Sequence, residues 1–573
     1  MPQRSLSLLA ALTVALASFG CDRGGDQTVR TRQPTYELPV YLRGTVSEHA
    51  VLVNRGGEMF VAGYGMVLGL GDKGASEVPA HLREYLVQQL AKNDVGSLNR
   101  GIPVSPEKIL ADRDTAVVMV AGSIPYGAPV GTRFDFNVRA VPGTSATSLD
   151  GGLVMPTEVR FAAGGVALPG RGSKIFAVVR GPVFVNPYLD PGDPNDQPKF
   201  TEGVILGGGR VVRDRPLRLE LRDPDFAIAN TIQKRINERF GNQKVAKAKS
   251  RSSIDIQVPK NWHDDYEHFL EVMMHVPLNN SGAQAEQHAR EVVRQMELPG
   301  ANHAQLSLVL EAMNRQILPL MRPLYGSRND GAAFYSALAG VRLDDTMAGD
   351  TILRFAGKSG SPYQLPAIEE LGRRADLLMG RNLLYKLLGD HDARVRVAAY
   401  EALVYRGDRG RIDRTLIEPG VVLDVVDVDA DVPPVIYATR RLEQRIVIFG
   451  KDLEVQRPVF YNPADEMVTI SGQVDQDELR VFRRVPRGGG YTPAFEIEPK
   501  VTALLELLAA QPELKDNGQY RGLGLTYGQV VRTLTYLTGE GYIPAKLILQ
   551  DPGQVTTMQG VGGTVGRPEM PGQ

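Results

Sequence analysis

Few residue groups in the 573-residue sequence have the types and spacing that chemistry needs. The most complete is Gly69 to Gly74, GLGDKG, a G-x-G-x-x-G between a strand-like run and a helical pattern, with Asp94 about 20 residues on. In a dinucleotide site the glycines admit a pyrophosphate and the acidic residue holds the ribose. Asp94, however, lies in the polar helix exit AKNDVG and not at the end of a second strand, so a glycine-rich turn is the better reading. His263, His268 and His275 fall among Asp264, Asp265 and Glu267, but their gaps do not reproduce the i, i+4 pairing of a helical zinc site. The expectation there is a solvated helix face. Asp427, Asp429 and Asp431 alternate, which on a strand would put three carboxylates on one face and attract calcium. Val432 then stands where a calcium loop wants glycine, and Ala438 where it wants glutamate. Gly357 to Ser359 reads GKS, but Ile352 occupies the position of the glycine that opens a phosphate loop. No G-x-S-x-G occurs. The expectation is a protein with no catalytic residue, no metal ligand and no cofactor, hence not an enzyme.

Composition narrows the classes further. Lys plus Arg number 65 against 66 Asp plus Glu, so no global positive field draws nucleic acid or an anionic membrane, and no nucleic-acid partner is expected. A single cysteine cannot close an internal disulfide or build a thiolate metal cluster. At 43% hydrophobic and 23% charged the chain is a folded one, stabilised by apolar cores, and its length suggests about three or four domains. With 61 glycines and 38 prolines, many turns and short strands follow.

At the amino terminus, Arg4 and the apolar run Leu6 to Phe19 read as an export signal. The run ends Ser18-Phe19-Gly20-Cys21, which resembles the lipobox of bacterial lipoproteins; Cys21 is then a lipidation site and the anchor a membrane contact. Ordinary signal cleavage nearby is the other reading. Residues 22–35 are polar and aperiodic, as a tether is. Residues 551–573, rich in Gly, Pro and Thr, are expected to be a disordered tail.

Between these ends the pattern alternates. Runs 58–70, 115–120, 134–141, 174–185 and 217–221 are β-type, and Leu82, Leu86 and Leu90 line a helix after the glycine loop. Asp223 as N-cap, Pro224 at the first helical position, the stripe Ala229, Ile232, Ile236 and Phe240, and Gly241 as a stop mark another helix, with a strand at 254–258 after it. From about 280 to 412 helix follows helix. Leu384, Leu387 and Leu388, then Val395, Ala398, Ala399, Ala402 and Leu403, line two successive helices, and Asp390, Val395, Arg396, Ala399 and Leu403 together resemble a HEAT repeat. Strand-like runs resume at 444–449, 467–470 and 478–482, followed by a helix with Thr526 and Gln529 as capping box and Val530, Val531, Leu534 and Leu537 on its buried face.

Four collinear blocks resemble the flagellar P-ring protein family. They are VAGYGMVLGLGDKG (61–74) continued by TAVVMVAGSIPYGAPVGTRFDFNV (115–138), SLDGGLVMPTEV (148–159), GGGRVVRDRPLRLELRDPDFAIANTIQKRINERFG (207–241) with SIDIQVP after it, and LTYGQVVRTLTYLTGEGYIPAKLIL (525–549). The resemblance implies a periplasmic subunit that polymerises head to tail into a homo-oligomeric ring, a bushing around the flagellar rod beside the L ring, with no active site. It implies an α+β, multi-domain fold: signal 1–21, linker 22–35, a P-ring-like region 36–279, a HEAT-like helical insertion 280–415, a P-ring-like region 416–550 and the tail 551–573. Arg113 matches a basic position of the family pattern and is the candidate rod-facing residue. The helical insertion and a lipidated Cys21 depart from that pattern. They leave open a second reading, a non-flagellar cell-envelope lipoprotein scaffold that captures a protein partner on its helical repeats.

Overall fold

A computed structural model describes residues 38–551 apart from 54–58, 97–102, 163–173, 216, 242–243, 279–281, 375, 419, 466, 486–489 and 515–519. The expected signal, Cys21, the tether and all but the first residue of the expected tail lie outside the described residues. The fold is α+β: β-rich sheets, one of them closed, with a central run of helices.

The first elements are a short helix Val46–His49 (α1) and strand Ala50–Leu52 (β1), then the long strand Met59–Leu68 (β2). Helices Ala80–Lys92 (α2) and Pro106–Leu110 (α3) follow, and then strands Thr115–Ile124 (β3), Arg133–Ala140 (β4), Leu153–Phe161 (β5), Ile175–Phe184 (β6) and Glu202–Val211 (β7). Strands β2, β3, β4, β7, β6 and β5, in that spatial order, close into an antiparallel barrel. Its interior holds Val61, Val118, Val120, Phe136, Val138, Val154 and Val179. Strand β2 reads as one apolar run because it is buried on both faces: Val61 and Val67 point into the barrel, while Met66 packs outward under Leu82, Leu86 and Leu90 of α2.

A second sheet joins strand Leu217–Leu221 (β8) to Ala246–Ala248 (β9) and Ser253–Ile256 (β10) in the order β1-β8-β10-β9. Helix Phe226–Arg239 (α4) covers one face with Ala229, Ile232 and Ile236, and Phe240 packs beside them. The N-cap differs from the sequence expectation. Asp225, not Asp223, caps the helix: its carboxylate accepts from the Ile228 amide at 2.9 Å, while its own amide is tied to the Arg251 carbonyl at 2.9 Å. That tie holds Asp225 extended on the sheet side, so the helix starts two residues later than the proline suggests. Helix Tyr266–Met274 (α5) completes this core with Phe269, Val272 and Met273.

Helices Gly282–Met296 (α6), His303–Ala312 (α7), Leu318–Met321 (α8), Asp330–Arg342 (α9), Gly349–Ala356 (α10), Gln364–Arg373 (α11), Leu378–Leu387 (α12) and Ala393–Tyr405 (α13) follow. They share one core, in which Leu384, Leu387 and Leu388 meet Val395, Ala399, Ala402 and Leu403. The chain then returns to strands Ile412–Ile417 (β11), Val421–Val426 (β12), Val435–Ala438 (β13) and Arg445–Phe449 (β14). Strands Val459–Tyr461 (β15), Val468–Gly472 (β16), Leu479–Arg483 (β17) and Phe495–Ile497 (β18) make a four-stranded antiparallel sheet. Helix Val501–Ala509 (α14), the short pair Glu513–Leu514 (β19) and Tyr520–Arg521 (β20), helix Tyr527–Gly539 (α15) and strand Lys546–Leu549 (β21) end the described chain.

The five-stranded sheet β11-β12-β14-β13-β21 is a central layer. Val426, Val447 and Phe449 face the helical core, whereas Leu423, Ile446 and Ile448 face α14 and α15. Helix α15 forms as expected, with Gln529 accepting from the Thr526 amide at 3.0 Å and Val530, Val531, Leu534 and Leu537 buried.

Candidate functional site

The glycine loop is built to hold itself. Gly71 donates its amide to the Asp114 carboxylate at 2.7 Å, Leu70 to the Asp114 carbonyl at 3.0 Å, and Gly74 to the Arg113 carbonyl at 3.0 Å. A Cβ on Gly74 would collide with the Arg113 and Thr115 carbonyls, so this glycine serves a close backbone approach. The amides that would cradle a pyrophosphate are therefore spent, and β2 runs antiparallel to both neighbours, unlike the parallel strand of a dinucleotide fold. Asp94 sits just beyond α2 at φ 61°, a helix-end conformation. Arg113, by contrast, is exposed at the approach to β3 and forms no ion pair among the described residues.

Asp427, Asp429 and Asp431 do not share a strand face: β12 ends at Val426, and all three lie exposed in the loop beyond it, Asp427 pairing with Lys451 at 3.5 Å. Among the described residues no group of three or more His, Cys, Asp or Glu converges as a metal would require. In the GKS turn, Lys358 reaches Asp330 at 2.6 Å.

Two of the three histidines depart from the expected solvated helix face, while His263 is half-buried in the turn before α5. His268 and His275 are buried, at 2% and 3% exposure, because α5 lies between the α4 core and the helical stack. His275 Nδ1 donates to the Glu271 carbonyl at 2.7 Å, and its Nε2 lies 2.9 Å from Gln305 Oε1. His268 Nε2 donates to the Glu311 carboxylate at 2.9 Å, and Arg342 Nη1 lies 3.0 Å from the same nitrogen. Arg342 also donates to Glu370 at 3.1 Å, and Arg239 to the Glu311 carbonyl at 3.0 Å. Five helices, α4, α5, α7, α9 and α11, thus meet at one buried charge cluster. Burial and Arg342 pull the His268 pKa down, but Glu311 and Glu271 more than reverse this and leave it above the ordinary histidine value. Burial raises the Glu311 carboxyl, yet His268, Arg342 and Arg239 outweigh it and hold it below the usual range.

Two further joints tie the barrel to the C-terminal sheets. Asp135 on β4 accepts from the amides of Gly207 at 2.6 Å and Leu442 at 3.0 Å, and from Arg441 at 3.3 Å. Gly207, at φ 55°, leaves room for the Leu442 carbonyl, which any Cβ would strike. Arg532 on α15, 7% exposed, bridges Asp465 at 2.8 Å and Asp150 at 3.2 Å. The sequence signals none of these joints, because each pairs residues from distant parts of the chain. The arrangement fixes distant parts of the chain against one another.

Residues 51–297, the barrel, the β1-β8-β10-β9 sheet with α4 and α5, and the whole of α6, match the family described as Flagellar P-ring protein. The Flagellar P-ring protein of Aquifex aeolicus is 33% identical over 213 residues, 35% of this chain and 53% of that protein. That of Anaeromyxobacter sp. strain K is 32% identical over 241 residues, covering 40% and 58%, and that of Thermotoga maritima is 31% identical over 220 residues, covering 37% and 60%. The chain thus spans a little more than half the length of the curated relatives it matches. That family is structural and non-enzymatic. Residues 51–297 of this chain are thus similar to the flagellar P-ring protein family.

Proposed function

We propose that this protein is a structural subunit of the flagellar basal-body P ring, a periplasmic bushing of head-to-tail copies around the rod and beside the L ring. The observation that carries the reading is the family match over residues 51–297. A ring needs two unlike complementary patches held at a fixed angle, since a heterologous contact closes only when each subunit repeats the same rotation. The closed barrel and the buried joints at Asp135 and Arg532 supply that rigidity. In this reading residues 36–279 and 416–550 are the ring-forming regions and 280–415 a helical, HEAT-like insertion. Arg113, exposed and without an ion pair among the described residues, faces the rod, and lipid on Cys21 tethers the ring to a membrane.

The test is to purify hook-basal bodies and look for this polypeptide. Its presence at ring stoichiometry supports the reading, and its absence from intact basal bodies overturns it. Lipidation is checked separately by labelling with a fatty acid, which Cys21→Ser abolishes.

One observation favours the second reading, a cell-envelope scaffold that binds a partner through the helical block. Leu378 and Met379, at the start of α12 and outside the matched residues, are 75% and 67% exposed. If a Leu378→Ser, Met379→Ser protein still assembles but loses a co-purifying protein, the helical block is the capture surface.

A further inference from the structure

The outer wall of the barrel carries an arrangement that is unfavourable in an isolated subunit. Arg133 on β4 stands directly opposite Arg210 on β7, and Arg180 on β6 lies diagonally beyond, on the same outward face. Like charges opposed across strands destabilise a sheet. All three are exposed, and none forms an ion pair with a carboxylate among the described residues; Arg133 spends its Nε on the Gly207 carbonyl at 2.9 Å. Elsewhere on the barrel outer face cations are matched, as Arg160 is by Glu158 at 2.9 Å and Arg139 by Glu202 at 2.7 Å.

A second surface is its electrostatic complement. Strand β11 is the outermost strand of its sheet, and a groove of about 480 Å³ runs between it, α14 and the β19–β20 pair. Glu418, Glu506 and Glu513 line the groove against the single cation Arg521, and none of the three carboxylates has an ion-pair partner among the described residues. Leu416, 65% exposed, and Leu507 make its apolar floor. The chain as a whole is nearly neutral, at a formal charge of −1, so these are two local fields of opposite sign.

We propose that the basic barrel face of one copy seats on the acidic groove beside β11 of the next, forming the head-to-tail contact of the ring; this rests on the ring reading above. The planar guanidinium forks of Arg180 and Arg210 suit carboxylates, and Leu416 is buried at the centre of the contact. Like sign on like sign forbids two barrel faces, or two grooves, from pairing, which excludes a dimer through either patch alone and requires each copy to offer unlike patches to its neighbours. The barrel half of the contact lies within the family-matched residues and the groove half outside them.

The test uses the full mature chain and two variants, Arg180→Glu with Arg210→Glu, and Glu506→Lys with Glu513→Lys. None of these side chains makes a hydrogen bond within the subunit among the described residues, and circular dichroism verifies the fold of each variant. Sedimentation velocity is expected to show the parent protein assembling, with each variant alone needing at least about tenfold more protein to do so. Mixing the two variants is expected to restore assembly, since each acidified face then meets a basic groove and each basic face an acidic one. A folding defect cannot produce that rescue. If the variants assemble like the parent, or if their mixture stays apart, the contact is elsewhere and this proposal fails while the ring reading stands. A parent that remains monomeric at every concentration overturns both.

Discussion

Removing the His268 imidazole by His268→Ala tests whether the helical block is held to the P-ring-like region by its buried charges. Glu311 is 2% exposed and would lose its 2.9 Å partner, keeping Arg342 at 3.8 Å. Breaking a buried ion pair costs about 3–5 kcal/mol, and the remaining arginine places this case near about 3 kcal/mol. A chain with several cores does not unfold in one step, so the reading should be local. Hydrogen exchange of residues 266–274, 303–312 and 330–342 is expected to accelerate about a hundredfold, the equivalent of that free energy. The control is Arg290→Ala, which removes an exposed pair to Glu286 at 2.6 Å, with side chains 66% and 55% exposed, and is expected to leave exchange nearly unchanged. The pH dependence has a definite sign. His268 is raised when folded, so its stabilisation is complete below about pH 6.5 and is lost as pH climbs through the higher folded value; Glu311 is lowered, so its share is present above about pH 4.5 and fades as pH falls through the lower one. Protection therefore peaks between those limits, and the alkaline loss should vanish in His268→Ala. Exchange in the three segments indistinguishable from the Arg290→Ala control would refute the reasoning.

Other outcomes follow from the same physics. Arg532→Met leaves the buried Asp150 without its cation, while the half-buried Asp465 keeps Lys73 at 3.9 Å, and is expected to cost about 3 kcal/mol, seen as early proteolysis between the barrel and α15. Gly74→Ala forces a methyl onto the Arg113 and Thr115 carbonyls and is expected to lower thermal stability by about 1–3 kcal/mol, while calorimetry shows no nucleotide binding to the parent or the variant. Leu86→Ala, at 1% exposure under β2, is expected to cost about 2–5 kcal/mol in denaturant unfolding of the barrel region. Burial lifts Glu369 to about 7 against the pull of Arg373. A carboxyl raised on folding makes stability fall as pH rises from its unfolded value toward 7, so Glu369→Gln should flatten that slope.

The amino-acid order alone specified the elements wherever one periodicity ruled a segment. The stripe Ala229, Ile232, Ile236, the α2 leucines and the buried face of α15 all lie where 3.6-residue spacing puts them, since burying an apolar face is a local requirement that a linear pattern encodes. Three of the four collinear blocks likewise fall within the residues 51–297 that match the family, whereas the block at 525–549 lies outside them. Tertiary structure decided the rest. Whether His268 meets water or Glu311 depends on a helix 43 positions away, and whether Arg532 is a surface charge or a buried bridge depends on Asp150, far upstream. The alternating aspartates at 427–431 look strand-like, yet the strand ends at Val426, where pairing with Phe449 of β14 runs out. Arg133 and Arg210 become neighbours only because a sheet closes into a barrel. Charge is silent in a one-dimensional pattern because its energy depends on the partner and the dielectric around it, and both are set by which distant segments the cores bring together.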